Sequence, residues 1–356
     1  MPPTTPWDWA EWGDQALAER VAREGAIDAA LTLAKSLSSL GASVGTASWT
    51  VLSAMATLGS VNLSVARAVE PHLDAAAILH QARATQTCSI DVLPGQTWGV
   101  YAAHPPGTRV NASPASGSDK WNLSGVKPWC SLADQVSHAL ITATVEGGHH
   151  QLFAVDLSGE GVRVDMAQWN ALGLRNIHTG TVHLDQASAY PVGPAGWYLD
   201  RPGFAWGGIV VSAVWFGAAA TLAGQLWSAA RRRAPDQIAL MHIGACEAAL
   251  DTAITCLRAS AVVMDDPDIS STQAAITAAR TRTIVAGVAE QVMATVGHAL
   301  GPGPLAFDHE HATRVADLTL YLRQHHAERD LVHLGSLVLD ACGAQGALDS
   351  TQAGSA

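Results

Sequence analysis

The chain has 356 residues, 48% of them apolar and only 14% charged, a composition that builds a buried core and excludes a disordered or collagen-like chain. With 20 basic against 31 acidic residues the formal charge is −11, which gives no general electrostatic reason to bind nucleic acid or an anionic membrane. The five cysteines (Cys88, Cys130, Cys246, Cys256, Cys342) show no metal-type spacing and read as reduced thiols of a cytoplasmic protein.

The first 15 residues have neither a basic stretch nor an apolar one, so they do not read as a signal peptide. From residue 14 to 85 the chain is rich in Ala and Leu. Leu17, Val21, Leu31, Leu33, Leu37 and Leu40 recur at near-helical spacing, and a second run from Trp49 to Leu79 is expected to break at Gly59 and Pro71. Between residues 88 and 190 the period changes. Ile141, Ala143 and Val145 alternate with Thr142 and Thr144, predicting a half-buried strand. Residues 146–150 turn the chain, and Gln151–Leu157 returns as the second arm of a hairpin. Thr181–Leu184 is another short strand, and the whole zone predicts a small β-barrel or sandwich.

Residues 204–340 return to a helical period. Ile243, Cys246, Leu250, Ile254 and Leu257 form one core stripe, and Ile284, Val288, Val292 and Val296 another. Phe204–Ala230 holds no charge and is followed by Arg231, Arg232 and Arg233, so it is long enough to span a bilayer. Its many small residues read instead as a buried core helix. Residues 343–356, small and polar, predict a disordered tail.

Histidine is over-used, with fifteen copies, but neighbouring histidines such as His325 and His326 point about 100° apart on a helix, which does not favour a metal site. No Gly-x-Ser-x-Gly or Gly-rich phosphate loop occurs. Cys130 reads as a small buried thiol rather than a nucleophile, and Trp129 taken alone as a packing residue. Set before a strand, however, Trp129 offers a flat apolar face, and Ser131 two residues on offers a hydrogen bond to an aromatic ring.

Five segments in order resemble the acyl-CoA dehydrogenase family. Leu58–Ala66 with His72 resembles its second helical region, and Trp98–Pro105 the strand that usually ends Thr-Glu-Pro. Leu123–Ser131 resembles its Gly-x-Lys-x-Trp-Ile-Thr stretch. Ala171–Arg175 with Thr181–Asp185 resembles its Gly-Met-Arg and Val-x-Phe-Asp pair, and a C-terminal helical bundle follows. The resemblance implies an α+β, mainly helical architecture: an N-terminal helical domain (1–87), a central β-barrel or sandwich domain (88–200) and a C-terminal four-helix bundle (201–342). It implies FAD between the last two, with Trp129 and Ser131 flanking the isoalloxazine, Ala102 and Ala103 at its other edge, and a homodimer or homotetramer sharing the cofactor across an interface. The implied reaction removes an α-proton from an acyl-CoA thioester while flavin N5 takes the β-hydride.

The chain departs from the family where chemistry is done. The usual base lies eight residues after an Asp; here Asp317 leads to His325, with Glu328 three further on, and these two are the candidate bases. The phosphate-binding signals are reduced to Arg232, Gln291 and Gly297, and His104 replaces the Glu of Thr-Glu-Pro. A histidine at position 325 also resembles the flavin monooxygenase branch of the same fold. The reduced phosphate signals leave a third alternative, a non-redox member without FAD.

Overall fold

A computed structural model describes residues 15–23, 27–88, 90–166 and 169–353; the N-terminal segment weighed above as a signal peptide lies outside the described residues. Among the described residues five helices come first: α1 (Gln15–Arg23), α2 (Ile27–Ser36), the short α3 (Ser38–Gly41), α4 (Ser48–Val61) and α5 (Leu63–Ala84). The helix break falls at Asn62, not at Gly59 or Pro71 as expected. Asn62 is extended, and its side chain accepts from the Val65 amide as the cap of α5. Gly59 stays helical because it is a packing site, and Pro71 sits inside α5.

Seven strands follow: β1 (Trp98–Tyr101), β2 (Val110–Pro114), β3 (Trp121–Ser131), β4 (His138–Thr144), β5 (His150–Asp156), β6 (Val162–Asp165) and β7 (Thr179–Val192). β4 pairs with β2 and β5, β2 with β3, β3 with β7 and β7 with β5, so five strands close on themselves into a barrel. β1 adds in parallel to β4, and β6 to β7. The predicted hairpin is β4–β5, with Leu140 opposite Ala154 and a turn through Gly147 and Gly148 at positive φ. β4 was expected to be half-buried, yet Thr142 and Thr144 are buried too. Closure is the reason: the polar face of β4 meets Lys127 of β3, whose Nζ donates to Thr142 Oγ1 at 2.7 Å and to the Thr142 carbonyl at 3.1 Å.

The helices α6 (Trp197–Asp200), α7 (Pro202–Arg232), α8 (Gln237–Met264), α9 (Ser271–Leu300), α10 (Pro302–Phe307), α11 (His309–Tyr321) and α12 (Glu328–Ala353) complete the chain. α12 runs to Ala353, where composition predicted a disordered tail from residue 343. Ala344 and Ala347, good helix formers, carry it on, and residues 354–356 lie outside the described residues. Among the described residues three helices (α7, α8 and α9) are long and apolar enough to cross a membrane, but the most apolar window of α7 is 89% buried within the protein. α7 is therefore the central helix, crossed by α4 at backbone contact: a Cβ on Gly217 would lie 1.9 Å from the Ala56 carbonyl oxygen. One continuous apolar core extends from Leu17 through the barrel to Leu322.

Candidate active site

The site begins at the end of β3. The pairing of β3 with β7 slips between Lys127 and Cys130, and at this bulge Trp129 adopts φ 62°. The slip turns Trp129 outward, where it is 65% exposed; the packing role considered for it does not hold. A bulky residue at positive φ is uncommon, and such residues cluster at ligand sites. Cys130 faces the other way, fully buried, its thiol pushed up to about 12 by burial, as expected for an inert thiol. The Tyr101 hydroxyl donates to the Ser131 carbonyl at 3.0 Å. This bond ties β1 to the Ser131 end of β3; the Ala102 carbonyl accepts from Thr142 Oγ1 at 3.4 Å, and no described contact joins Ala102 or Ala103 to Trp129 or Ser131.

Ser131 Oγ lies 3.1 Å from Thr179 Oγ1 and accepts from Arg67 Nη2 at 3.3 Å. Arg67 is on α5, and its Nη1 donates to Glu70 Oε2, also at 3.3 Å. Glu70 is buried among apolar side chains. Burial pushes its carboxyl up to about 7 although Arg67 and Arg282 pull it down. Asp74, one turn on, is raised for the same reason against Arg201. Around this pair stand Trp215 of α7 and Tyr321 of α11, edge to face with centroids 6.4 Å apart, with Arg67 over the Tyr321 ring and Arg282 of α9 over Trp215. Trp215 Nε1 and Tyr321 Oη are buried donors without a protein acceptor, and Arg201 Nε is a third. Buried donors are normally satisfied, so a cluster of them marks a place for an acceptor-bearing ligand or water. Glu70 and Asp74 also line a narrow cleft with Leu73, Gly203, Gly207 and Val210.

His325 follows the last turn after Tyr321. Its Nε2 is 3.3 Å from Thr283 Oγ1 and 3.7 Å from Asp330 Oδ2, and burial lowers its pKa despite Asp330, so the ring is neutral at pH 7. Arg282 ties this turn to α7, donating to the Gln324 carbonyl at 2.8 Å and to the Gly208 carbonyl at 3.2 Å. Glu328, the other candidate base, is exposed on the first turn of α12. Arg232 and Gln291 are exposed on α7 and α9, and a Cβ at Gly297 would meet nothing within 4 Å; no described contact joins these three to the Ser131 cluster.

Two quoted motifs, 143 residues apart, do meet. Asp317 Oδ1 accepts from the Leu174 amide at 2.6 Å, and Gly173 lies against the Ala316 carbonyl. Asp317 is thus a strut between α11 and the loop before β7. Arg67, Glu70, Arg282, Tyr321 and Asp330 were not singled out from the sequence. The available signal was Arg67, Glu70 and Asp74 at helical spacing in an otherwise apolar, Ala-rich segment.

No family model matches the chain, and no curated protein matches it. Solved structures do. KijD3 in complex with FMN and a dTDP-amino-keto sugar shares 20% identity, covering 96% of this chain and 95% of that one with a TM-score of 0.75. Butyryl-CoA dehydrogenase from Megasphaera elsdenii shares 15%, covering 92% and 95%, with a TM-score of 0.77. This is the acyl-CoA dehydrogenase fold. A third similar structure, FMN-bound TdsC from Paenibacillus sp. A11-2, shares 15% over 92% of this chain and 98% of that one, with a TM-score of 0.70. The fold carries differing chemistries, so function has to be read from the site.

One buried histidine of the fold sets an acid limit. His72 on α5 is fully buried, its Nε2 2.8 Å from Ser38 Oγ, and burial lowers its pKa to about 4. Its folded pKa is below the unfolded one, so the stability it contributes is present above about pH 6.5 and is lost as pH falls toward 4. Glu70, raised to about 7, acts in the opposite sense between pH 4.5 and 7. Comparison with a His72→Gln variant isolates the histidine: between pH 7 and pH 5 the wild type is expected to lose about 2 kcal/mol more than the variant in urea unfolding. Equal losses would show that His72 does not titrate with folding.

Proposed function

We propose that the protein is a flavin-dependent oxidoreductase whose ring site is the shelf formed by Trp129, Ser131 and Ala102–Ala103, with Arg67 behind it. The observation that carries this reading is Trp129: a strained, exposed indole two residues from a serine whose hydroxyl is held by the half-buried Arg67. These residues fit an isoalloxazine, which would supply the redox chemistry when bound. Arg232, Gln291 and Gly297 do not adjoin the shelf within one chain. FAD, the cofactor first implied, would draw on those positions from a second copy, whereas FMN would not need them. The flavin named with KijD3 and TdsC is FMN.

Of the two chemistries, oxygen activation fits better than α,β-dehydrogenation of an acyl-CoA thioester. The position that resembles the family's base holds a neutral His325 backed by Asp330, Glu328 is exposed, and α7 carries no carboxylate. One observation supports dehydrogenation: Glu70 is a buried carboxyl one guanidinium away from Ser131. A homo-oligomer is supported by apolar side chains left open on the C-terminal helices, among them Met241, Val262, Phe307, Val332 and Leu339.

The deciding experiment loads the protein with FMN or FAD and records its absorption. Bleaching by an acyl-CoA thioester without oxygen would establish dehydrogenation. Oxygen uptake that requires reduced flavin, with indifference to thioesters, would establish the oxygenase reading. Trp129→Ala is expected to weaken FMN binding about tenfold, the loss of one stacked ring, measured by flavin fluorescence. An unchanged affinity would remove Trp129 from the site.

A further inference from the structure

We infer that Glu70 is the proton acceptor coupled to flavin reduction: it takes one proton from solvent when two electrons place negative charge beside Ser131, and so frees the Arg67 guanidinium to pair with that charge. This rests on the flavin reading above.

The geometry is that of one cation shared between two sites. Arg67 Nη1 holds Glu70 Oε2 and Nη2 holds Ser131 Oγ, each at 3.3 Å. With a neutral ring at Ser131, Arg67 and the Glu70 carboxylate form an ordinary pair. When an anion arrives at Ser131, the same guanidinium faces two negative charges. Like charges on opposite sides of one guanidinium raise each other's proton affinity by about a hundredfold in a protein interior. The group that yields is the buried carboxyl, which is already held near neutrality by desolvation.

The other charged or titratable groups facing Glu70 do not take this part. Asp74, on the same helix, has Arg201 beside it. Arg282 of α9 is committed to the Gly208 and Gln324 carbonyls. Tyr321 of α11 and Tyr198 of α6 are held protonated by burial. The narrow cleft along Glu70 and Asp74 is the space that adjoins the carboxyl. The balance is two electrons and one proton to the flavin from an external two-electron reductant and solvent, and a second proton to the Glu70 carboxylate, with no bond of the protein broken.

The test needs no substrate. The FMN-loaded protein is titrated spectroelectrochemically at pH steps between 7 and 9, and the pH dependence of the midpoint potential counts protons per two electrons. Near pH 8, midway between the resting value of about 7 and one about a hundredfold higher, the wild type is expected to approach two and Glu70→Gln one, while Glu70→Asp approaches two over a displaced pH window. Circular dichroism and FMN affinity confirm that each variant is folded and loaded. One proton in the wild type, two in Glu70→Gln, or loss of the second proton in His325→Gln instead, would overturn the assignment of Glu70. A chain that binds no flavin would overturn the functional reading itself, and the inference with it.

Discussion

Gly217→Val is expected to leave the chain unable to reach its native state, with a loss above 3 kcal/mol, beyond the usual cost of overpacking. A Cβ at Gly217 would stand 1.9 Å from the Ala56 carbonyl oxygen, and one at Gly59 would stand 2.2 Å from the Val214 carbonyl oxygen. Neither obstacle is the movable end of a side chain. α4 and α7 therefore cannot separate to admit the valine without opening the core around Trp215 and Phe216. Gly244 and Gly287 are the internal control: in helices α8 and α9, a Cβ there meets nothing within 4 Å. Alanine at either position is expected to stabilise by about 0.5–1 kcal/mol, because it limits the unfolded chain and favours the helix. Urea unfolding followed by circular dichroism separates the cases. A Gly217→Val protein with a wild-type midpoint would show that the two helices do not meet at backbone distance.

Arg314→Met is expected to cost about 1–3 kcal/mol, the range for leaving backbone carbonyls without their donor. Arg314 Nη1 donates to the Ser60 carbonyl at 2.8 Å and the Gly59 carbonyl at 3.3 Å, and Nη2 to the Val61 carbonyl at 3.2 Å. These are the open carbonyls at the end of α4, where the helix dipole also favours a cation. The substitution takes the guanidinium from the Gly59 and Val61 carbonyls, leaves Ser60 with the Thr221 hydroxyl alone at 2.9 Å, and loosens α11, the helix that carries Asp317 and Tyr321. Arg314→Lys is expected to recover only part of the loss, since one ammonium cannot serve three carbonyls in the plane of a guanidinium. Thermal unfolding measures both variants, and a lysine variant as stable as wild type would show that charge alone suffices. The arginine's role here is architectural: with Asp317 it docks α11 onto α4 and onto the loop at Gly173–Leu174.

Much of this architecture was legible because it depends on local pattern. The period of the apolar residues distinguishes the helices from the barrel strands, and Glu146–His150 marks the turn of the β4–β5 hairpin. Ordered motifs such as Leu123–Ser131 and Ala171–Arg175 led to the fold that the solved structures share. The departures were legible in the same way: His325 where the family pattern has a carboxylate, and no carboxylate between Phe204 and Ala230.

The site was less legible, because its contacts join residues far apart in the chain. Arg67 and Ser131 are 64 positions apart and share no motif, and neither period nor spacing says which face of α5 will look at the end of β3. Glu70 looks like any acidic residue of a helix until the packing of α5, α7 and α11 removes its water and moves its pKa. Trp129 carries a recognisable motif, but its exposure follows from the slipped pairing of β3 with β7, a property of the closed barrel rather than of the tripeptide around it. Local periodicity and motif order, which act through neighbouring residues, therefore determined the elements and their succession. Burial and long-range juxtaposition, which exist only after the chain has folded, decided which side chains could work together and with what charge.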